Sequence, residues 1–75
     1  MNELYLWKKL PKRKHIYIYD DYEDMAIDVY SVKGTIMCKF KHKLSSEKQG
    51  DFTSDFIRES VCYGDEITKE EYDKF

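Results

Sequence analysis

Little in this chain can build a reactive loop: its 75 residues include only three glycines, one proline and two cysteines. Three glycines are too few for most phosphate-cradling turns. No Gly-rich phosphate loop, nucleophile elbow or acidic metal-binding motif of recognised spacing occurs. With 37% charged residues against 41% apolar, the composition excludes a membrane protein. The opening MNELYLWKKL has too short an apolar run for a signal peptide, no small-residue cleavage site, and basic residues on the wrong side of that run. The expectation is a protein of the cytoplasm without membrane association. In a reducing compartment Cys38 and Cys62 are expected as reduced core thiols, a disulfide being the lesser alternative.

What the chain has in quantity is charge, in alternating blocks. Residues 1–19 carry a net +4, residues 20–28 a net −5, residues 33–48 a net +4 and residues 49–75 a net −5, so the total of −2 hides a dipolar molecule. Such a pattern speaks to association with a charged partner and not to fold. Aromatics are the other surplus: seven Tyr, four Phe and one Trp argue against disorder and supply large buried surfaces with few residues. At this length buried area only just exceeds the entropy cost of ordering the chain, so one compact domain over residues 1–75 is expected.

The clearest local signal is a two-residue turn at Lys33-Gly34 between strands near 25–32 and 35–44. The register it sets pairs Val29 with Cys38, Ile27 with Phe40 and Met25 with His42 on one face. The other face pairs Tyr30 with Met37, Asp28 with Lys39 and Asp24 with Lys43, opposite charges meeting across the strands. A helix over 20–33 competes, with Tyr22, Met25, Ala26 and Val29 at helical spacing. Upstream, alternation in ELYLW and HIYIYD predicts strands near 3–8 and 15–20, a second hairpin whose connection carries Pro11. SSEKQGD, residues 45–51, reads as a surface loop. Phe52, Phe56, Ile57 and Val61 recur at helical spacing and predict a helix near 52–62. Thr68 and Glu71 form a capping-box pattern opening a short helix near 69–75. The resulting fold class is α+β, a small antiparallel sheet of about four strands in two hairpins, packed against one helix, with a short C-terminal helix.

These elements could carry chemistry of three kinds. Cys38 and His42 look like a zinc pair, but four strand residues set them about 13 Å apart, so no metal and no cofactor are expected. The adjacent acids Asp20-Asp21 and Glu70-Glu71 suit a solvated surface better than acid–base catalysis, and the protein is not expected to be an enzyme. Binding remains. The basic run Lys8, Lys9, Lys12, Arg13 and Lys14, interleaved with Trp7, Tyr17 and Tyr19, is a footprint for nucleic acid, cations holding phosphates and rings stacking on bases. A pI near 5.6 lies below the usual range for that function. The acidic run Tyr19, Asp20, Asp21, Tyr22, Glu23 and Asp24 offers the opposite: a row of carboxylates that imitates phosphates and enters the basic cleft of a nucleic-acid-handling protein.

The ending GDEITKEEYDKF resembles the turn, short strand and capped helix that close many small proteins of phages and mobile elements in low-GC Gram-positive bacteria. With the short Lys-, Tyr- and Asp-rich domain, it resembles the phage inhibitors of bacterial immunity, anti-CRISPR proteins above all. That resemblance implies a non-enzymatic protein that binds a host nuclease or nucleic-acid-binding effector and blocks its substrate site or activation. The family shares no motif, so it assigns no residue. Pairing of two copies through an open sheet edge is compatible with either binding function.

Overall fold

The computed structural model describes residues 3–75. In chain order its elements are α1 (Glu3–Lys9), β1 (His15–Asp20), β2 (Met25–Val32), β3 (Thr35–His42), β4 (Lys48–Gly50), α2 (Asp55–Tyr63), β5 (Asp65–Ile67) and α3 (Lys69–Lys74). The strands form one open antiparallel sheet in the order β4-β3-β2-β1-β5. The fold is α+β, with five strands and three short helices.

The β2–β3 hairpin follows its turn. Lys33 and Gly34 sit at φ 50° and 82°, the left-handed pair that lets a two-residue connection match the twist of the strands it joins. Val29 then faces Cys38, Ile27 faces Phe40, Met25 faces His42, Tyr30 faces Met37 and Asp28 faces Lys39, as the sequence predicts. Asp24 does not face Lys43 across a ladder. It lies in the β1–β2 turn at φ 51° and accepts a hydrogen bond from Tyr19 Oη at 3.0 Å.

Three expectations are corrected. Residues 3–8 are not a strand, because Leu6 and Leu10, one helical turn apart, are both buried and tied by a Leu10 N to Leu6 O bond of 2.9 Å. Over so few residues, alternation of Leu4 and Leu6 and the helical spacing of Leu6 and Leu10 fit equally well, and burial of the second pair decides. Lys8 and Lys9 lie in the last turn of α1, where cations complement the helix dipole. With no strand there, β1 forms its hairpin with β2, and its other edge takes β5. Nor is residue stretch 45–51 all loop: Lys48–Gly50 pairs with Cys38–Phe40 as β4, giving five strands instead of four.

Register divides the sheet into two faces. On one, Ile16, Ile18, Met25, Ile27, Val29 and Cys38 form a single buried cluster with Leu6 and Leu10 beside α1 and with Ile57 and Val61 of α2. Phe56, expected in this core, is 43% exposed. On the other, Tyr17 lies under Tyr72 of α3 with ring centroids 5.1 Å apart, and Lys41 Nζ stands 4.2 Å over the Tyr72 ring. Tyr72 Oη donates to Glu47 Oε2 at 2.5 Å; burial first and this carboxylate second push its pKa well above the ordinary tyrosine value. Thr68 caps α3 with the full box, its Oγ1 accepting from Glu71 N and its own N donating to Glu71 Oε1.

Gly64 ends α2 with an ordinary φ of −78°, so conformational freedom is not what it supplies. Space is: a Cβ there would stand 2.4 Å from Ile18 Cγ2 and 2.9 Å from Tyr19 O. Neither Cys38 nor Cys62 is in a disulfide; Cys38 lies in the core and Cys62 is exposed, which corrects the expectation of two core thiols. Burial raises the Cys38 pKa to about 11.

Gly64→Ala should therefore destabilise by about 1–3 kcal/mol, the cost of overpacking, and lower Tm by at least several degrees. Thermal unfolding of the variant with an unchanged Tm would refute this close approach. In the folded protein, iodoacetamide at mildly alkaline pH should modify Cys62 while Cys38 reacts only on unfolding, read as one added label by mass spectrometry.

Candidate acidic groove

The turn between β1 and β2 is built on a carboxylate. Asp20, at the end of β1, is only 4% exposed, and its Oδ1 accepts the Tyr22 amide at 3.0 Å, an Asx-type turn that folds the chain back. Asp21, Tyr22 and Glu23 are left projecting from the turn. On the far side Asp24 engages Tyr19, whose ring meets Phe75 edge-on at 5.3 Å. The hydrogen bond to Asp24 raises the Tyr19 pKa.

Beside this turn runs α2. Ser54 caps it by accepting the Ile57 amide at 3.3 Å, and Ile57, Ser60 and Val61 supply its buried face. Positions 56, 59 and 63 recur at helical spacing, so Phe56, Glu59 and Tyr63 share the edge of the helix that looks toward the turn. Together Asp20, Asp21, Tyr22, Glu23, Phe56, Glu59, Ser60 and Tyr63 line a groove of about 590 Å³. Its rims are aromatic: Tyr22 is 87% exposed and Tyr63 78%. Asp21, Glu23 and Glu59 form no ion pair among the described residues.

Of the acidic run singled out in the sequence, Asp20, Asp21, Glu23 and the interleaved Tyr22 gather at this groove. Tyr19 and Asp24 do not; they pair with each other away from it. The wall contributed by α2 is not marked by any charge run in the sequence. Phe56 carries the helical spacing of a core residue, and nothing local distinguishes an exposed groove wall from a buried one; the signal was Glu59 and Tyr63 on the same helix edge.

The basic candidates separate. Lys8, Lys9, Lys12, Arg13 and Lys14 are all exposed around the end of α1, with Lys9 Nζ 5.6 Å from the Tyr5 ring centroid. Arg13 is committed to an ion pair with Glu66 of β5, which also accepts from Tyr5 Oη at 3.0 Å. Tyr17 lies on the opposite face of the sheet, stacked on His15 and covered by Tyr72. On that face His15 Nδ1 lies 2.7 Å from Asp28 Oδ1, while Lys39 points to Glu47 at 3.9 Å. Among the described residues no three His, Cys, Asp or Glu side chains gather as a metal site, and no helix is long and apolar enough to cross a membrane. No family model matches the chain, and no curated protein or solved structure shows detectable similarity to it.

The Arg13–Glu66 pair makes a pH prediction. Burial pushes the Glu66 carboxyl up, but hydrogen bonds from Arg13 and Tyr5 and the charges of Arg13 and Lys9 outweigh it and hold the pKa below the usual value. A depressed carboxyl stabilises the fold fully above its unfolded pKa of about 4.3 and loses that contribution as pH falls through the folded value. Because both side chains are partly solvated, the effect should be about 1 kcal/mol or less. Glu66→Gln should lower Tm at neutral pH, and the gap to wild type should close in acid; a gap independent of pH would contradict the assignment.

Proposed function

We propose that this protein is a non-catalytic inhibitor of a bacterial host's nucleic-acid-handling defence enzyme, anti-CRISPR-like in its mode of action. Its acidic groove occupies the basic surface by which that enzyme takes its substrate or becomes active. The observation that carries this reading is the convergence of Asp21, Glu23 and Glu59, none of them ion-paired among the described residues, with three exposed rings at one groove. Carboxylates in a row present the charge pattern of a phosphate backbone, and exposed aromatic rings are the residue type that anchors protein interfaces. Long-range attraction between such a patch and a basic cleft also speeds encounter.

Direct nucleic-acid binding through Lys8 to Lys14 has less support. It needs cations and stacking rings on one surface, whereas Arg13 is held by Glu66 and Tyr17 is covered on the other side of the sheet.

A double substitution, Asp21→Lys with Glu23→Lys, tests the groove without touching Asp20, which holds the turn, or Asp24, which bonds Tyr19. Expressed in a bacterium whose defence nuclease restricts an incoming plasmid, the wild-type protein should restore transformation. The double variant should lose most of that protection while keeping a native circular dichroism spectrum. Protection retained by this variant but lost on Lys12→Glu with Lys14→Glu, together with a salt-sensitive oligonucleotide gel shift, would replace this reading with nucleic-acid binding.

A further inference from the structure

We infer that the hairpin end of β3 is a docking edge for an extended segment of a partner protein, which adds as a short strand and buries a single apolar side chain. This goes beyond the proposed function and does not depend on it, because the edge lies at the opposite end of β2 from the acidic groove. The first observation is in the backbone. Lys33 and Gly34 make a two-residue turn, so Val32 and Thr35 close it as a hydrogen-bonded pair, and Ser31 and Ile36 follow as a non-hydrogen-bonded one. The N–H and C=O of Ile36 therefore point away from β2, toward the outer edge. β4 covers that edge only at Cys38–Phe40, and no other backbone bond takes up Ile36 among the described residues. Sheets blunt such an edge with charge, as Lys48 does on β4 and Asp65 and Glu66 do on β5. Thr35, Ile36 and Met37 carry none. An uncharged edge with an unused donor and acceptor is a template for a strand.

The second observation is what lies beside this edge. Ile36, on the same sheet face as Cys38 and Phe40, forms one wall of a groove of about 430 Å³. Its other walls include Trp7 of α1, 54% exposed, and Phe52, partly buried ahead of α2. A residue set opposite Ile36 in an antiparallel pair exchanges both backbone bonds with it and, by the alternation of the strand, sends its side chain to that same face. It enters between Trp7 and Phe52. Its two neighbours in the segment point to the other face, beside Thr35 and Met37, so the central position is the one that is read. An aliphatic or aromatic side chain matches the rings and Ile36. A second copy of this chain is the poorer occupant. Pairing centred on Ile36 in both copies sets residue 38 of each against residue 34 of the other, and the outer edge of Cys38 already holds Gly50.

Capped five-residue peptides of the form Thr-Val-X-Val-Thr test this, with X leucine, phenylalanine, lysine or N-methylleucine, the last unable to donate its backbone hydrogen. Added to nitrogen-15-labelled protein up to millimolar concentration, the leucine and phenylalanine peptides should shift the indole resonance of Trp7 and amide resonances confined to residues 34–37 and 52–53. N-methylation should raise the Kd of the leucine peptide about fivefold, the loss of one hydrogen bond, and lysine should raise it severalfold. Trp7→Ala, at an exposed position, should weaken the leucine peptide severalfold while the circular dichroism spectrum stays native. The N-methyl comparison uses the wild-type protein and stands whether or not that variant folds. Equal affinity for the leucine and N-methylleucine peptides would overturn strand addition, and equal affinity for leucine and lysine would overturn the apolar seat. Silence of both apolar peptides, or shifts centred on another surface, would overturn the inference as a whole. A dimer in analytical ultracentrifugation that Ile36→Lys abolishes would make the occupant a second copy, and the assignment to a partner segment fails.

Discussion

The approach of Gly64 to β1 decides the geometry of the acidic side of the molecule. With no side chain at that position, the end of α2 settles directly over Ile18 and the Tyr19 carbonyl, where any Cβ would collide. The chain then leaves the helix straight into β5, which pairs with Tyr17, Ile18 and Tyr19. The residue immediately before Gly64 is Tyr63, and β1 ends at Asp20, so one close contact sets a helix end beside a turn. The groove is the space that remains between them. Its acids come from the turn and from the helix, which have no sequence proximity, and this contact, with the packing of Ile57 and Val61 in the core, brings them together.

A second constraint is size. A sheet in a chain this short has one apolar face large enough to bury well, and here that face is covered by α1 and α2 residues in one cluster. The opposite face is closed by chemistry of another kind. Tyr17 and Tyr72 overlap, Lys41 lies over the Tyr72 ring, and Tyr72 reaches Glu47 across the loop before β4. Tyrosine suits this role because its ring buries while its hydroxyl remains bonded, so a thin layer of α3 suffices where aliphatic residues would need a thicker cover. The sheet edges are treated with similar economy. β4 and β5 are three residues each, and Lys48, Asp65 and Glu66 place charge on them, which discourages further strand pairing.

How much of this is legible in sequence depends on whether the signal is local. The β2–β3 register is fully readable, since a two-residue turn with Gly34 leaves one alignment that sends Ile27 and Val29 inward. The α3 cap is readable for the same reason: Thr68 and Glu71 are three residues apart and satisfy each other. By contrast, α1 is too short for periodicity to separate helix from strand, and only the burial of Leu10 resolves it. β4 is not legible, because Lys48–Gly50 becomes a strand only when a neighbouring edge accepts it, and the short strand that the resemblance of the ending implies gains its place in the sheet only from the β1 edge it pairs with. The site divides along the same line. Asp20 to Glu23 announce themselves as a charge run, while Phe56, Glu59 and Tyr63 gain meaning only from the turn that faces them.

The alternating charge blocks take on a different sense once partners are assigned. Arg13 of the first basic block is spent on Glu66 of the last acidic one, Lys39 on Glu47, and Lys69 on Asp73 one turn away. Asp28 lies almost buried against His15. The Arg13–Glu66 pair joins segments distant in the chain, and together these pairs neutralise part of the contrast internally. An acid that is paired cannot be offered to a partner without first losing what it has, so the unpaired ones are where association costs least. Asp21 and Glu23 sit on a turn that Asp20 already holds in shape, and Glu59 on a capped helix, so their charges are preorganised as well as unspent. Preorganisation and lack of an internal partner coincide at this groove, so its acids differ in this from the paired ones elsewhere in the acidic blocks.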